Sequence, residues 1–307
     1  MKKRSLIKLF QSSMPKFCSL QDPLGAVKAP FGVNASGTPI FDCLRILSGS
    51  VDIKVKSTGK IIRPRYCYLT QSKRKVTSRR IEGIVKIVFD CDLSLADAET
   101  FLVKSSKDNR IFWEEFKAEL SLCITCTNLK KQLESFLYLY RLMELISIAL
   151  PLVYASSEVD YKKALDSLKS LSGNPRDGEL TVLANFISAV ERNGGYENLV
   201  IDYKFAGPTT WHAEGIRQLR DYVFNEKKIC GTFLPDDSGF AVPFSCVPHL
   251  ISTSRNRMFH NTKSHGNFDL DALDGTDYIA QTLVQPTLYW LSLVLVEVTK
   301  THARRYV

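Results

Sequence analysis

Apolar and polar residues alternate in the first part of the chain in the way that half-buried strands require. Residues 51–56 read Val-Asp-Ile-Lys-Val-Lys and predict a strand, and residues 57–60 predict a turn. The apolar and aromatic positions of 61–69 predict its hairpin partner. Residues 81–89 are rich in isoleucine and valine and predict a third, more buried strand. The prolines and glycines of residues 1–50 predict loops and short strands.

The spacing of apolar residues changes to the helical period further along the chain. A short helix is predicted over 94–104, and helical patterns resume at 111. The segment 128–150 is apolar on nearly all sides, which predicts that other helices or a second subunit enclose it. Pro151 is expected to end or kink this helix, and Pro286 to kink or break the last one. Further helices are predicted over 161–171, 179–192, 214–225, 247–263 and 276–302, with a strand or extended segment over 199–205 and an irregular connection over 226–246.

A polar stretch at 105–110 separates the two kinds of pattern. The chain has 307 residues, a length typical of about two domains. We therefore predict an α+β protein with a basic, β-rich domain over 1–107 and a mainly α-helical domain over 108–307. Hydrophobic residues make up 45% of the chain, which is enough to bury a core.

The sequence carries no pattern that predicts secretion or a metal centre. No uninterrupted apolar run reaches the roughly 18 residues that span a bilayer. The basic start is followed by an apolar stretch that Lys8 and Gln11 interrupt, so no signal peptide is predicted. Cys123 and Cys126 form a CxxC pair, but no second pair or histidine follows at zinc-site spacing. We expect a cytoplasmic protein with reduced thiols, no membrane partner and no metal or other cofactor.

The positive charge of the chain is concentrated in one segment. The net charge is +9, and residues 54–86 contain eleven lysines and arginines against one acid, Glu82. Such a local excess predicts a surface that faces a polyanion, with Tyr66 and Tyr68 available to stack on bases. An edge strand protected by lysines is the alternative. The predicted nucleic-acid contacts are Arg63, Arg65, Lys73, Arg74, Lys75, Arg79 and Arg80.

A short stretch near the C-terminus carries the candidate chemistry. Residues 254–261 read Ser-Arg-Asn-Arg-Met-Phe-His-Asn, so four residues separate Arg255 from His260. On a helix, Asn256 and His260 lie on one face because they are four residues apart. The long Arg255 side chain can reach the groove that His260 faces.

These residue types suit attack on a phosphodiester by a neighbouring hydroxyl group. The Arg255 guanidinium can bind a phosphate through two hydrogen bonds. His260, with an ordinary pKa near 6.5, can exchange a proton with an RNA 2′-hydroxyl. Asn256 can hold the imidazole or a phosphate oxygen. No metal is needed if the RNA supplies its own nucleophile.

An Arg-x4-His element that begins Arg-Asn and is set among helices resembles the signature of the HEPN superfamily. The resemblance implies a small helical domain that cleaves RNA without metal, leaving a 2′,3′-cyclic phosphate and a 5′-hydroxyl. It further implies a composite site across a homodimer, with an acidic residue from an earlier helix, for which Glu144 is the candidate. Many such proteins are bacterial anti-phage or toxin effectors. An antitoxin or a phage-derived trigger protein is then an expected partner besides RNA.

Two other functions fit the same sequence. One is a HEPN-like adaptor without catalytic activity, which binds partners through its helices. The other is a nucleic-acid-binding regulator that acts through the basic segment. Arg141 and Glu144 are three residues apart on the apolar helix, where they form either a structural ion pair or part of a polar site.

Overall fold

The computed structural model describes residues 17–23, 27–33, 38–73, 81–89, 93–156, 160, 162, 165, 179–225, 229–259, 267–269 and 277–306. It is 63% helical with about 10% strand in small sheets, so the predicted α+β class is confirmed in its coarse form, with helices in the majority. The described helices are α1 (Pro39–Leu47), α2 (Ile81–Phe89), α3 (Leu95–Lys104), α4 (Arg110–Asn128), α5 (Gln132–Ser156), α6 (Glu179–Gly194), α7 (Thr209–Leu219), α8 (Val247–Phe259) and α9 (Asp277–Ala303). A π-helical turn, Arg220–Phe224, extends α7, and a 3-10 turn, Phe244–Cys246, leads into α8.

Short antiparallel strands flank the helices. The described strands are β1 (Cys18–Gln21), β2 (Asp52–Val55), β3 (Ile61–Ile62), β4 (Tyr66–Cys67), β5 (Ser72–Lys73), β6 (Val200–Lys204), β7 (Thr232–Phe233) and β8 (Gly239–Pro243). They form sheets in the orders β1-β2-β3, β4-β5 and β6-β8-β7. Ile53 of β2 faces Ile62 of β3, which confirms the predicted hairpin. The segment predicted as irregular between 226 and 246 contains β7 and β8.

The third strand predicted over residues 81–89 is wrong, because this segment is helix α2. Its buried residues are Ile84, Val85, Val88 and Phe89, whose spacing is that of one helix face. The β-branched residues that predicted a strand are accommodated here because α2 packs against α9. Tertiary burial outweighs a preference worth only a few tenths of a kcal/mol per residue.

The expectation of loops and short strands over the first 50 residues is wrong at α1. Pro39 occupies the first helical turn, a position where its missing amide hydrogen is not needed. Every residue of α1 is buried, including Asp42 and Arg45. Pro39 therefore starts a helix, although the prolines of this segment predicted loops.

Both long helices continue past the prolines that were expected to interrupt them. Helix α5 runs to Ser156 although Pro151 lies within it, and α9 runs from Asp277 to Ala303 through Pro286. The structure therefore excludes an end at Pro151 and a break at Pro286, and the alternative prediction of a kink at each proline stays a prediction. A proline removes one backbone hydrogen bond and can be accommodated where neighbouring elements pack on both sides.

Several predicted helices are confirmed close to their predicted limits. Helix α3 starts at a capping box in which the Ser94 hydroxyl accepts from the Asp97 amide at 3.1 Å. Helix α6 matches the prediction over 179–192, and the residue after it, Gly195, has a φ of +69°. Of the helix predicted over 161–171, the structure describes only residues 162 and 165, which are helical.

Helices α5 and α9 form the centre of the fold. Helix α5 packs on α4, α6 and α9 of its own chain. Leu137, Arg141 and Glu144 are exposed along one face, so the predicted enclosure by other helices is confirmed only for the rest of its surface. Among the described residues, Gln132–Ala155 and Asp277–Ala303 are long and apolar enough to cross a membrane. Since 53% and 72% of their apolar windows are buried, they also match the core helices of a soluble protein. The expected absence of a membrane partner stays a prediction.

Contacts cross the predicted domain boundary at residue 107. The Lys117 ammonium on α4 lies 3.1 Å from the Asp42 carboxylate on α1. The Ser292 hydroxyl on α9 donates to the Tyr68 carbonyl oxygen at 3.0 Å. Helices α1 and α2 therefore belong to the same packed interior as the C-terminal helices. The division into two domains stays a prediction.

A polar cluster ties the C-terminal end of α9 to the turn before α4. The His302 Nε2 atom lies 3.4 Å from an Asp108 carboxylate oxygen, and the Tyr306 hydroxyl donates to the same carboxylate. The Lys104 ammonium donates to the Tyr306 carbonyl oxygen at 3.3 Å. Burial lowers the pKa of His302, while Asp108 opposes this effect and the nearby Arg305 adds to it.

We expect the free energy of unfolding to fall as the pH drops from about 7 to 5 because of His302. The unfolded chain has an ordinary histidine pKa near 6.5 and binds the proton before the folded chain does. His302→Gln should flatten this dependence in urea titrations at pH 7.5 and 5.5. Burial also raises the pKa of Asp42 to about 6. Because Asp42 is present in both proteins, its contribution to the pH dependence cancels when the two are compared. Identical pH profiles would contradict the assignment.

Candidate functional site

Helix α8 carries most of the motif and is anchored by its apolar face. Leu250, Ile251 and Met258 are buried, as the helical spacing predicts. Arg255 is half-buried and Asn256 is exposed, so both lie at the edge of the buried face. The amphipathic pattern of α8 thus turns the polar end of the motif toward the surface.

The Arg255 side chain lies over an aromatic ring of α5. Its guanidinium carbon is 5.1 Å from the centroid of the Tyr140 ring, which is within the range of a cation–π contact. The Arg255 Nη1 atom also donates to the Asn256 side-chain oxygen at 3.2 Å. These contacts orient the half-buried guanidinium at the edge of the buried face of α8.

Glu144 lies on the same side of α5 as Tyr140. The two residues are four apart, so the backbone of the exposed Glu144 lies about 6 Å further along the helix axis than that of Tyr140, whose ring Arg255 covers. The structure therefore places Arg255 beside Asn256 and over Tyr140 of α5, and Glu144 is four residues further along that helix.

Arg141 does not pair with Glu144. Its Nη2 atom lies 2.7 Å from a carboxylate oxygen of the buried Glu119 on α4. Burial raises the pKa of Glu119, and the Arg141 guanidinium opposes that effect. Within the part of the chain that the structure describes, Glu144 forms no ion pair.

A second arginine of the motif holds the helix in place. The Arg257 Nε atom donates to the Tyr222 carbonyl oxygen in the π-helical turn at 2.9 Å. The Phe268 amide donates to the Arg257 carbonyl oxygen at 3.3 Å. Arg257 thus positions α8 against its neighbours, which distinguishes it from Arg255 in spite of the similar sequence context.

His260 follows Phe259, the last described residue of α8, and lies outside the described residues. Phe259 itself is 39% exposed. A phosphodiester bound by Arg255 would lie at this end of α8. The described part of α8 thus provides an oriented cation and an amide just before the motif histidine in the sequence.

Tyr140 was not recognised from the sequence as part of the candidate site. It was included only among the apolar residues of the 128–150 helix. A tyrosine one turn before a candidate carboxylate is common on a core helix and carries no distinguishing pattern of its own. Only the crossing of α5 and α8 places it under Arg255.

The basic segment presents part of its charge on one exposed face. Exposed and buried residues alternate from 61 to 65, so Arg63 and Arg65 point to the same side. The side chain of Arg63 is 76% exposed and its Nε atom lies 3.5 Å from the Asp52 carboxylate. Lys73 ends β5, and the remaining predicted contacts lie outside the described residues: Arg74, Lys75, Arg79 and Arg80.

Tyr68 cannot stack on a base as the sequence predicted. It is only 2% exposed, and its carbonyl oxygen accepts from Ser292. The Tyr68 ring lies in the hydrophobic interior, where β4 approaches α9. Tyr66 remains half-buried, with its ring centroid 5.0 Å from that of Tyr68. Of the two tyrosines, only Tyr66 could stack on a base at the basic face.

We expect the double substitution Arg63→Glu and Arg65→Glu to weaken binding to a nucleic acid and to lower its salt dependence. Each lost phosphate contact should reduce the slope of log affinity against log salt by about 1. Fluorescence anisotropy with a labelled oligonucleotide at several salt concentrations measures both effects. Lys130→Glu with Lys131→Glu, in the turn between α4 and α5, changes the net charge equally. An equal loss in this control would show that only overall charge matters.

The CxxC pair faces the interior of the helical part. Cys123 is fully buried and its sulfur lies 3.4 Å from the Ser135 carbonyl oxygen, while Cys126 is 9% exposed. Burial raises the pKa of Cys123 to about 12, so its thiol is protonated at neutral pH. Within the described ranges, no three histidine, cysteine or acidic side chains are placed to hold a metal ion together.

Comparison of the chain with protein-family models, curated proteins and solved structures gave no match. The likeness to the HEPN superfamily accordingly rests on the motif and its helical setting.

Proposed function

We propose that the chain is a metal-independent endoribonuclease built around Arg255 and His260. The observation that carries the proposal is the placement of Arg255. This side chain is held over Tyr140 and bonded to Asn256 at the surface end of a well-anchored helix. These contacts support the proposal because they hold the guanidinium in one orientation on the helix that carries the motif.

In this proposal each residue has a defined task. Arg255 binds the scissile phosphate and stabilises the negative charge that builds on it. His260 moves the proton between the 2′-hydroxyl and the leaving 5′-oxygen. Asn256 and Glu144 orient the phosphate and the imidazole. The products are a 2′,3′-cyclic phosphate and a 5′-hydroxyl, and DNA is not cleaved because it lacks the 2′-hydroxyl.

The proposed active form is a homodimer of HEPN-like helical units in which two motifs meet. Apolar side chains flank the candidate site, since Phe259 is 39% and Leu137 is 38% exposed. A second copy would cover these side chains and complete the groove. An antitoxin or a phage-derived trigger protein would then control access to the same cytoplasmic enzyme.

The decisive experiment is cleavage of a bulk mixture of tRNA and mRNA in excess EDTA by the wild type and by His260→Ala. We expect cleavage by the wild type alone, with 2′,3′-cyclic ends in the products. Equal cleavage by both proteins would show that the motif is structural. Absence of cleavage by both, with RNA binding intact, would favour the adaptor without catalytic activity.

A second candidate function is nucleic-acid binding through the basic face. The exposed, co-facing pair Arg63 and Arg65 favours it. In the two-domain scheme this face belongs to the N-terminal part, where it would bind RNA or sense a trigger. Binding that survives His260→Ala but not the double arginine substitution would separate this function from the ribonuclease.

A further inference from the structure

The sheet β1-β2-β3 packs one of its faces against the hydrophobic core. The residues on that face are apolar: Cys18, Leu20, Ile53, Val55 and Ile62. Successive side chains of a strand point to opposite faces of its sheet. The residues between these apolar positions therefore form an outer face that points away from the core.

The strand register places apolar and basic side chains side by side on this outer face. Lys54 of β2 lies directly opposite Ser19 of β1 and Ile61 of β3. Phe17, which precedes β1, lies opposite Lys56, and the Lys56 amide donates to the Phe17 carbonyl oxygen at 2.8 Å. Residues directly opposite each other have Cβ atoms about 5 Å apart, close enough for their side chains to interact. Phe17 and Ile61 thus each have a lysine as their neighbour across the strands.

Both apolar side chains of the outer face are open to solvent. Phe17 is 54% exposed and Ile61 is 45% exposed, whereas Ile62, the next residue along β3, is 5% exposed. A single exposed apolar side chain is ordinary, but two on one face, each beside a lysine, form a candidate binding surface. A planar base can reach a phenyl ring that is this exposed.

The outer face continues into the basic face formed by Arg63 and Arg65. Residues 51–65 contain five lysines and arginines against one acid, Asp52. Asp52 is only 6% exposed, and the Arg63 Nε atom lies 3.5 Å from its carboxylate. The exposed charge of the combined surface is therefore positive, which favours a polyanionic partner.

We propose that the outer face of β1-β2-β3 binds single-stranded RNA, with one base stacked on Phe17 and neighbouring phosphates bound by Lys54 and Lys56. Arg63 and Arg65 provide further phosphate contacts. Every base has a flat π face, so this stacking does not depend on sequence. The bases of a duplex are stacked on one another and cannot reach the ring, so the face binds unpaired segments. The choice of RNA rests on the proposed ribonuclease function, for which this face holds the substrate strand.

An anionic membrane surface is the other polyanion that a basic face with exposed apolar side chains can bind. A membrane-inserting surface groups its apolar side chains on one side and its cations on the other. Here each exposed apolar side chain stands directly opposite a lysine. This alternation fits the alternation of base and phosphate along a nucleic-acid strand and favours RNA over lipid.

The test is RNA binding by the full chain in the His260→Ala background, so that RNA is not consumed during the measurement. Fluorescence anisotropy follows a labelled single-stranded RNA of about 12 nucleotides, a length typical of such sites. We expect Phe17→Leu to weaken binding at least about fivefold, because leucine keeps an apolar side chain but cannot stack. Phe17→Trp should retain the affinity. Both variants should keep the wild-type salt dependence, since the ring contacts no phosphate.

Two further variants separate the parts of the surface. Lys54→Gln combined with Lys56→Gln should lower the slope of log affinity against log salt by about 1.4, because each phosphate contact to a single strand contributes about 0.7. Ile111→Ala is the apolar control, since Ile111 is 80% exposed but lies on α4, outside this face. It should leave both the affinity and the slope unchanged.

The remaining outcomes decide between the partners. Phe17→Leu should not change the affinity for a duplex RNA of the same sequence, and an equal loss for duplex and single strand would overturn the proposal. Equal affinity of the parent and Phe17→Leu for the single strand would do the same. Binding to phosphatidylserine vesicles that survives Phe17→Leu, with no measurable RNA binding, would assign the face to a membrane instead. RNA binding as expected without cleavage by the wild type would refute the ribonuclease and leave this proposal standing.

Discussion

Replacement of Arg255 by alanine is expected to lower the rate of RNA cleavage by about 10²–10³-fold while leaving the protein folded. The guanidinium is the group proposed to stabilise charge on the phosphate, and it stays oriented by Tyr140 and Asn256. Its loss removes that stabilisation and leaves the buried face of α8 unchanged. Single-turnover cleavage of a defined RNA gives the rate, and thermal unfolding reports the stability.

Arg220 provides a matched control for this substitution. Its guanidinium carbon also lies over an aromatic ring, 5.0 Å from the Phe233 centroid, but Arg220 is more exposed than Arg255 and lies in the π-helical turn outside the motif. Arg220→Ala should retain wild-type cleavage. Arg255→Lys should recover only part of the activity, since an ammonium group cannot form the two parallel hydrogen bonds of a guanidinium. Full activity of Arg255→Ala would refute the assigned role.

Replacement of Arg45 by alanine is expected to reduce the free energy of unfolding by about 3–5 kcal/mol. The Arg45 side chain is 1% exposed and pairs with the Asp22 carboxylate. It also donates to the Phe31 carbonyl oxygen at 2.9 Å and to the Ser50 hydroxyl at 3.3 Å. Alanine leaves Asp22 as an uncompensated, largely buried charge and opens a cavity beside α1.

Urea unfolding monitored by circular dichroism measures this loss. Arg63→Ala is the control, because Arg63 also lies near an aspartate but is 76% exposed, and it should change stability by less than about 1 kcal/mol. Combining Arg45→Met with Asp22→Leu should recover much of the lost stability, since no unpaired charge remains. If Arg45→Ala and Arg63→Ala lower the free energy of unfolding by the same amount, the buried ion pair stabilises the fold no more than the exposed one.

Local sequence patterns determined much of the helical framework. The hydrophobic spacing predicted α3, α6 and the long helices α5 and α9, because a face that repeats every 3.6 residues must be buried wherever it occurs. The β2–β3 hairpin followed from alternation and a nearby turn. The motif also placed Arg255 and Asn256 on one helix, since neighbours in sequence are neighbours on α8.

The tertiary structure decided what depends on residues far apart in the chain. Packing against α9 made residues 81–89 a helix, and α5 and α9 continue through their prolines. Arg141 pairs with Glu119 on a different helix. The tertiary structure also brought Tyr140 beneath Arg255. Periodicity reports which face of an element is buried but not which element covers it. The partner of each side chain is set by how helices and strands cross, and that arrangement minimises the free energy of the whole chain.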